Sequence, residues 1–379
     1  MRIAVIGGGP VGLEAATEAI ARGHEAIVYE AERIAAHVRR WGHVTLFTPW
    51  SMAVTERGLA RIGASLPDPE GYPTGAQLVA SYLEPLAATL VVREHTRVLQ
   101  IGRTRVLKGQ ALGSSSRAKE PFRLIVETPD GTDVEHADAV FDCTGVFGDP
   151  APAGTGGLAA PGEEAAMRAG RLRLGLARVD DLAGARVMLV GAGASAVTLL
   201  SDLLGLEPPP EITWVTLQDE VPSFVSPEDD VLPARRALYE LGRSAPDHPC
   251  VTHHPNAGID RMFTSPTGTR VTLTDQSSIE VDQVIAATGF RPDHRLSREL
   301  QFHVCWGSEG PMRLAAALLA SSGDGGDCLD QPTQGAETLL SPEPRFFVLG
   351  NKSYGRRSDF LLKIGHAQVR DALDLLGDP

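Results

Sequence analysis

The chain has 379 residues, with 48 Asp plus Glu against 35 Lys plus Arg and a net charge of −13. It exceeds the size of one hydrophobic core, so two or three domains are expected. The basic residues are scattered instead of striped, which excludes nucleic acid as the expected partner, and no run approaches the roughly 20 apolar residues that span a bilayer. The apolar N-terminus is broken from Gly7 to Gly12 and followed by Glu14, so it reads as neither a signal peptide nor an anchor. A soluble, cytoplasmic protein without a membrane partner is the expectation.

The first element is a strand from Ile3 to Ile6 that runs into Gly7, Gly9, Pro10 and Gly12, with a helix starting near Glu14. In this strand, turn and helix, Gly7 permits the turn, Gly9 lets a pyrophosphate approach backbone, and Gly12 lets the helix pack on the strand. The helix N-terminus faces the phosphates. A second strand, Glu25 to Tyr29, ends in Glu30, whose carboxylate suits an adenosine ribose.

The segment Trp41 to Met52 follows, with Trp41, Phe47, Trp50 and Met52 offering shape and His43, Thr45, Thr48 and Ser51 offering polar contacts. It either lines a cofactor or completes a core between domains. A helix is expected from Ala76 to Leu86, then short strands around Val91, Thr96 to Ile101 and Phe122 to Glu127, with a turn at Pro129-Asp-Gly131. Gly113 to Lys119 reads as a solvent loop. The strand Ala139 to Phe141 leads to Thr144-Gly145, where the chain can pass close to a dinucleotide.

Residues 149–180 begin in an Ala-, Gly- and Pro-rich stretch and read as a linker. A second fingerprint then appears, with the strand Arg186 to Val190, Gly191, Gly193, Ser195 and Ala196, and a helix from Val197. Its second strand, Ile212 to Leu217, ends beside Gln218, Asp219 and Glu220 with no Arg or Lys, which favours a free ribose hydroxyl and hence NADH over NADPH. Arg235 or Arg236 folding back would reverse that preference. The strand Gln283 to Ala286 runs to Thr288-Gly289 and so mirrors Thr144-Gly145. Two fingerprints, each followed by a strand ending in Thr-Gly, imply a nested duplication.

The remainder completes the first domain, with a strand Arg345 to Leu349, the turn Gly350 to Tyr354 and an amphipathic helix Phe360 to Leu376. The expected fold is α/β, an FAD-binding Rossmann-like domain (1–148 and 290–379) with an inserted NAD(P)-binding Rossmann-like domain (181–289). FAD and NADH or NADPH are the expected cofactors. The four cysteines show no CxxC spacing, which demotes thiol relay, and no metal site is expected. Cys328, in a Gly-rich stretch, is the least bland of them. The face Leu314 to Leu319 packs either on a second subunit, making a homo-oligomer, or on its own core.

GAGASA at 191–196 and ATGF at 287–290 give the chain a likeness to a known family. It resembles the two-dinucleotide-binding-domain flavoproteins and, within them, a divergent branch of the class B flavin-dependent monooxygenases. The resemblance implies transfer of oxygen from a C4a-(hydro)peroxyflavin to the nitrogen or sulfur of a small molecule, with an NAD(P)H-dependent flavin reductase or dehydrogenase, or a flavin oxidase, as the alternative. The sequence departs from the family in having no His between Asp149 and Asp180 and in carrying Gly350-Asn351 where many disulfide-reductase relatives have Gly-Asp. Arg40, Trp41, Thr48, Thr144, Gly145, Gly350 and Asn351 are the further expected flavin contacts. Trp50, Lys352 and Tyr354 are the expected catalytic residues, Lys352 holding negative charge on flavin or substrate and Tyr354 hydrogen-bonding the substrate. Arg356 and Arg357 either assist or cap the last helix.

Overall fold

The computed structural model describes residues 1–66, 68–219, 232–321 and 334–377. Glu220 and Cys328 lie outside them. Two units result, 1–149 with 291–379, and 150–290.

In the first unit five parallel strands lie in the order Phe346–Val348, Ala139–Asp142, Arg2–Ile6, Glu25–Tyr29, Val91–Arg93. Alternation along the central strand explains the layering, because successive side chains leave opposite faces. Ile3 and Val5 bury against Ala15 and Ala19 of the helix Pro10–Ala21 and against Val369 and Leu373 of the helix Leu362–Leu376. Ala4 and Ile6 bury against Phe122 and Leu124 of a three-stranded antiparallel sheet, Arg97–Arg103, Phe122–Thr128, Gly131–Ala137. The stretch 113–119 differs from the expected solvent loop. It carries a short turn of helix whose Arg117 is fully buried beside Arg103 and Glu343, a residue 226 positions away.

The second unit repeats the plan. Its parallel strands run in the order Val251–His254, Glu211–Val215, Arg186–Val190, Gln283–Ala286, Leu172–Leu174. Val187 and Leu189 meet the helix Ala194–Leu204, and Met188 and Val190 meet the antiparallel strands Ile259–Ser265, Gly268–Leu273 and Ser278–Val281. The fifth strand, Leu172–Leu174, and the helix Glu163–Arg168 arise from the stretch 149–180 expected as a linker, so that stretch belongs to this unit. In the helix Met312–Ser321, Leu314, Ala315 and Leu318 are buried within the first unit, while Leu319 is exposed. Among the described residues no helix is long and apolar enough to cross a membrane.

Candidate functional site

In a doubly wound sheet, ligands bind beyond the carboxyl ends of the strands. In the first unit Ile6, Tyr29, Asp142 and Val348 lie in register at that edge and lead into Gly7, Glu30, Thr144-Gly145 and Gly350. The three glycines after Ile6 have separate duties. Gly7 has φ 104°, and a Cβ there would lie 2.6 Å from the Cys143 carbonyl oxygen; a Cβ on Gly12 would lie 1.9 Å from that of Gly7. Gly9, the N-cap of the helix that opens with Pro10, would place a Cβ where no described protein atom comes within 4 Å. Gly7 and Gly12 are therefore required by packing. Gly9 is required by neither, and its bare backbone beside the helix N-terminus fits a pyrophosphate. The Glu30 carboxylate accepts from the amides of Gly8 (2.7 Å) and Glu32 (2.9 Å), which fixes it at the edge of this loop.

The helix Ala36–Arg40 starts beside the same loop, with the Ala35 amide donating to the Gly8 carbonyl (3.0 Å). Beyond it the chain is clamped. The amides of Gly75 and Ala76 donate to the carbonyls of Val44 and Gly42, and that of Leu46 donates to Pro73. The Trp41 ring lies on Gly75, where a Cβ would come within 2.7 Å of it. Held in this way, Trp41 Nε1 and both ring nitrogens of His43 are buried with no hydrogen-bond partner. Each such atom costs about 1–3 kcal/mol, and three on one segment make it a candidate wall for a polar ligand. This wall, Gly9 and the fixed carboxylate of Glu30 fit FAD. Thr48 is buried on the same segment. Trp50 starts a short helix and is half-buried against the cluster of Leu78, Tyr82 and Leu83. Arg40 is turned to the Glu32 carboxylate, 2.7 Å to each oxygen, so its charge is engaged within the protein.

The structure places two of the expected catalytic residues in the protein interior. Lys352 is 1% exposed, and its Nζ donates to Asp142 (2.6 Å) and to the Thr144 hydroxyl (3.1 Å). Its positive charge is matched inside the protein and is not free for a substrate carboxylate. Tyr354 is buried with its ring edge-on to Phe360 at 5.4 Å, in the core and not at a substrate surface. The Gly350 amide donates to Gln368 (2.9 Å), and Asn351 is half-buried beside it. Arg356 pairs with Glu309 and Arg357 with Asp359. Sequence reasoning missed Asp142, because nothing local marks the carboxylate at the end of a strand as the partner of a lysine 210 positions away.

The second fingerprint divides its duties in the same way. Gly191 has φ 121°, and its Cβ would lie 2.5 Å from the Ala287 carbonyl oxygen, whereas at Gly193 no described atom comes within 4 Å. Ser195 follows in the first turn of the helix, and Ala196 is fully buried. Trp214 Nε1 donates to the Gly191 carbonyl (2.8 Å) and pins the turn. Asp219 accepts from Asn256, and the Thr216 hydroxyl, which donates to the Gln218 carbonyl (2.8 Å), also meets His253 Nε2 at 2.9 Å. His253 is thus half-buried at the site, and burial lowers its pKa. Arg235 is buried in the helix Pro233–Ser244. The Thr288 hydroxyl donates to the Ala151 carbonyl (2.9 Å), and Gly289, at φ 92°, has no described atom near its Cβ position.

Comparison with known proteins places these features in context. The fold is that of the bacillithiol disulfide reductase Bdr (YpdA) from Bacillus cereus, at TM-score 0.71 and 18% identity over 99% of both chains. It is also that of a flavin-containing monooxygenase from Stenotrophomonas maltophilia, at TM-score 0.60 and 21% identity over 99% of this chain and 98% of the other. In sequence the chain is 32% identical over 181 residues to a Baeyer-Villiger monooxygenase from Streptomyces coelicolor; the match takes in 46% of this chain and 30% of that relative. Reductases and monooxygenases share this fold, so these likenesses support the two-dinucleotide architecture and not the class B monooxygenases in particular. Residues 4–309 match the family model for pyridine nucleotide-disulphide oxidoreductases, and the chain, an FAD- and NAD(P)H-dependent oxidoreductase, belongs to that family.

Proposed function

We propose that this protein passes two electrons from NADH through FAD directly to a small organic acceptor such as a quinone or imine, without a thiol relay of its own. The observation that carries this reading is Cys143. It is the cysteine that follows the flavin-side strand, yet it is buried beneath Gly7, burial pushes its thiol pKa well up, and it is a free thiol, as are Cys250 and Cys305. A thiol held protonated is a poor nucleophile toward a flavin or a disulfide. What FAD supplies when bound is storage of two electrons between nicotinamide and acceptor.

The chain's own groups do the rest. Gly9 and the helix N-terminus hold the pyrophosphate, Glu30 holds the ribose, and the Trp41 to Thr48 wall orients the ring. In the second unit Gly193 and Ser195 receive the nicotinamide dinucleotide. Asp219, fixed by Asn256, receives a free ribose hydroxyl and repels a 2′-phosphate, which selects NADH. Anaerobic stopped-flow absorbance tests the reading. NADH should bleach the flavin at least tenfold faster than NADPH, a quinone should restore it, and Cys143→Ala should do both at the wild-type rate. Loss of turnover in Cys143→Ala with flavin retained would sink the direct-transfer reading.

The 32% match to a Baeyer-Villiger monooxygenase supports a second reading, oxygen transfer to a small organic molecule. It is separated by mixing the reduced protein with dioxygen. A transient absorbance belonging to neither oxidised nor reduced flavin, with oxygenated product, selects oxygen transfer; direct return to the oxidised spectrum selects the reductase.

A further inference from the structure

His294 stands at the same edge of the first unit. Its Nε2 is 2.7 Å from the carbonyl oxygen of Glu309. A carbonyl only accepts, so Nε2 carries the proton, and in the neutral ring Nδ1 is a bare lone pair. Nδ1 is buried and has no hydrogen-bond partner. The ring packs against Phe302, with centroids 5.7 Å apart.

The charged groups that face it come from three directions. Lys352 and Asp142, the buried pair that also holds Thr144, lie on one side, and Asp293 lies on its own loop. The Glu309 carboxylate is turned to Arg356, with Arg291 also acting on it. Burial lowers the imidazole pKa, the Glu309 carbonyl opposes this, Lys352 lowers it further, and Asp142 and Asp293 oppose in turn. Because Asp142 already neutralises Lys352, that pair offers no spare positive charge when negative charge arrives at Thr144-Gly145 and Gly350. Nδ1 of His294 is the open protonation site beside it.

We propose that His294 is the proton acceptor coupled to reduction of the flavin. The proposal rests on the flavin site as read above. The balanced step is that NADH, oxidised flavin, neutral His294 and one proton from water give NAD+, singly protonated reduced flavin and the His294 imidazolium. The added negative charge in a poorly screened interior raises the affinity of Nδ1 for that proton.

Proton uptake measured with a pH-indicator dye during anaerobic reduction of the FAD-loaded protein tests this. Wild type should take up one additional proton per flavin compared with His294→Gln, whose amide still donates to the Glu309 carbonyl. In wild type alone, the flavin midpoint potential should fall more steeply with pH below the imidazole pKa of the reduced state than above it, a readout that needs no variant. Equal proton counts in the two FAD-loaded proteins, or a potential without that break, overturn the proposal. Reduction is carried out both with NADH and photochemically. Failure with NADH alone breaks the proposed function, and the photochemical count still decides the role of His294.

Discussion

The two units solve one problem twice and differ in what seals them. Each has a central strand, a glycine turn at φ above 100°, a helix, a second strand with an acidic residue one to four positions beyond its end and a three-stranded antiparallel layer before the strand that leads into Thr-Gly. Their fifth strands come from opposite directions along the chain, Phe346–Val348 from the far C-terminal part and Leu172–Leu174 from just before the second fingerprint. The antiparallel layer of the first unit is tied down by a buried ion triad, Arg103 and Arg117 on Glu343, with the Arg103 guanidinium over the Phe122 ring. That of the second is sealed by Met188, Val271, Leu273 and Val284. A repeated backbone plan therefore tolerates either polar or apolar closure, provided every buried polar group is paired.

Removing one member of the triad should break that symmetry most strongly. Glu343→Ala leaves two buried guanidinium groups without their carboxylate and should cost the first unit about 3–5 kcal/mol. Calorimetry should show its transition falling while that of the second unit stays in place. Unchanged melting would mean that the triad is solvated in solution.

The same contrast separates what the sequence revealed from what it hid. Glycine turns, Thr-Gly strand ends and the last helix were legible because each is a local demand. Gly7 must take a positive φ, and the helical period of Leu362–Leu376 shows over its own length. The candidate contacts at Gly9, Glu30 and Gly193 follow from the same local logic. Arg117 and Lys352 were misjudged because their partners, Glu343 and Asp142, lie more than 200 positions away. A charged side chain in a polar stretch reads as solvated or ligand-facing until the fold supplies its counter-ion. The strand Leu172–Leu174 was lost in a linker for a related reason. Three residues carry too little periodicity, and the pairing with Val284 to Ala286 makes them a strand.

Acid should also divide the units. His366, buried in the helix Leu362–Leu376, has its pKa pushed down to about 4 from 6.5 by burial and by Arg370. Between those values the unfolded chain binds the proton and the folded one does not, so stability is lost as pH falls from about 6.5 and levels off below about 4. The full loss is roughly 3 kcal/mol. In the second unit burial also lowers the pKa of His253, but that ring is only half-buried, so its share of the acid loss is smaller. His366→Gln should therefore protect the first unit between pH 6.5 and 4.5 in urea titrations; an unchanged pH dependence would assign its acid loss to other groups.

The third fingerprint position offers a smaller and more local test. Ala196 shows that the second turn accommodates a Cβ, whereas a Cβ on Gly12 would sit 1.9 Å from the Gly7 carbonyl oxygen. Gly12→Ala forces helix and strand apart and should cost about 1–3 kcal/mol. Ala196→Gly, which only loosens a helix near its start, should cost about 1 kcal/mol or less. Equal losses in thermal melts would show that the first turn relaxes as the second has.

The middle glycines should change stability least and discriminate most. At Gly9 and Gly193 a Cβ meets no described protein atom, so Gly9→Ala and Gly193→Ala should melt within about 0.5 kcal/mol of wild type. Each methyl then stands where a phosphate has to approach the backbone. Gly9→Ala should lose FAD, read as loss of yellow absorbance after gel filtration, with NADH binding intact. Gly193→Ala should keep its flavin, while the NADH concentration giving half-maximal reduction rises at least tenfold. If both variants lost the same cofactor, the assignment of one dinucleotide to each unit would fail, because the substitutions differ only in which of two equivalent turns receives the methyl.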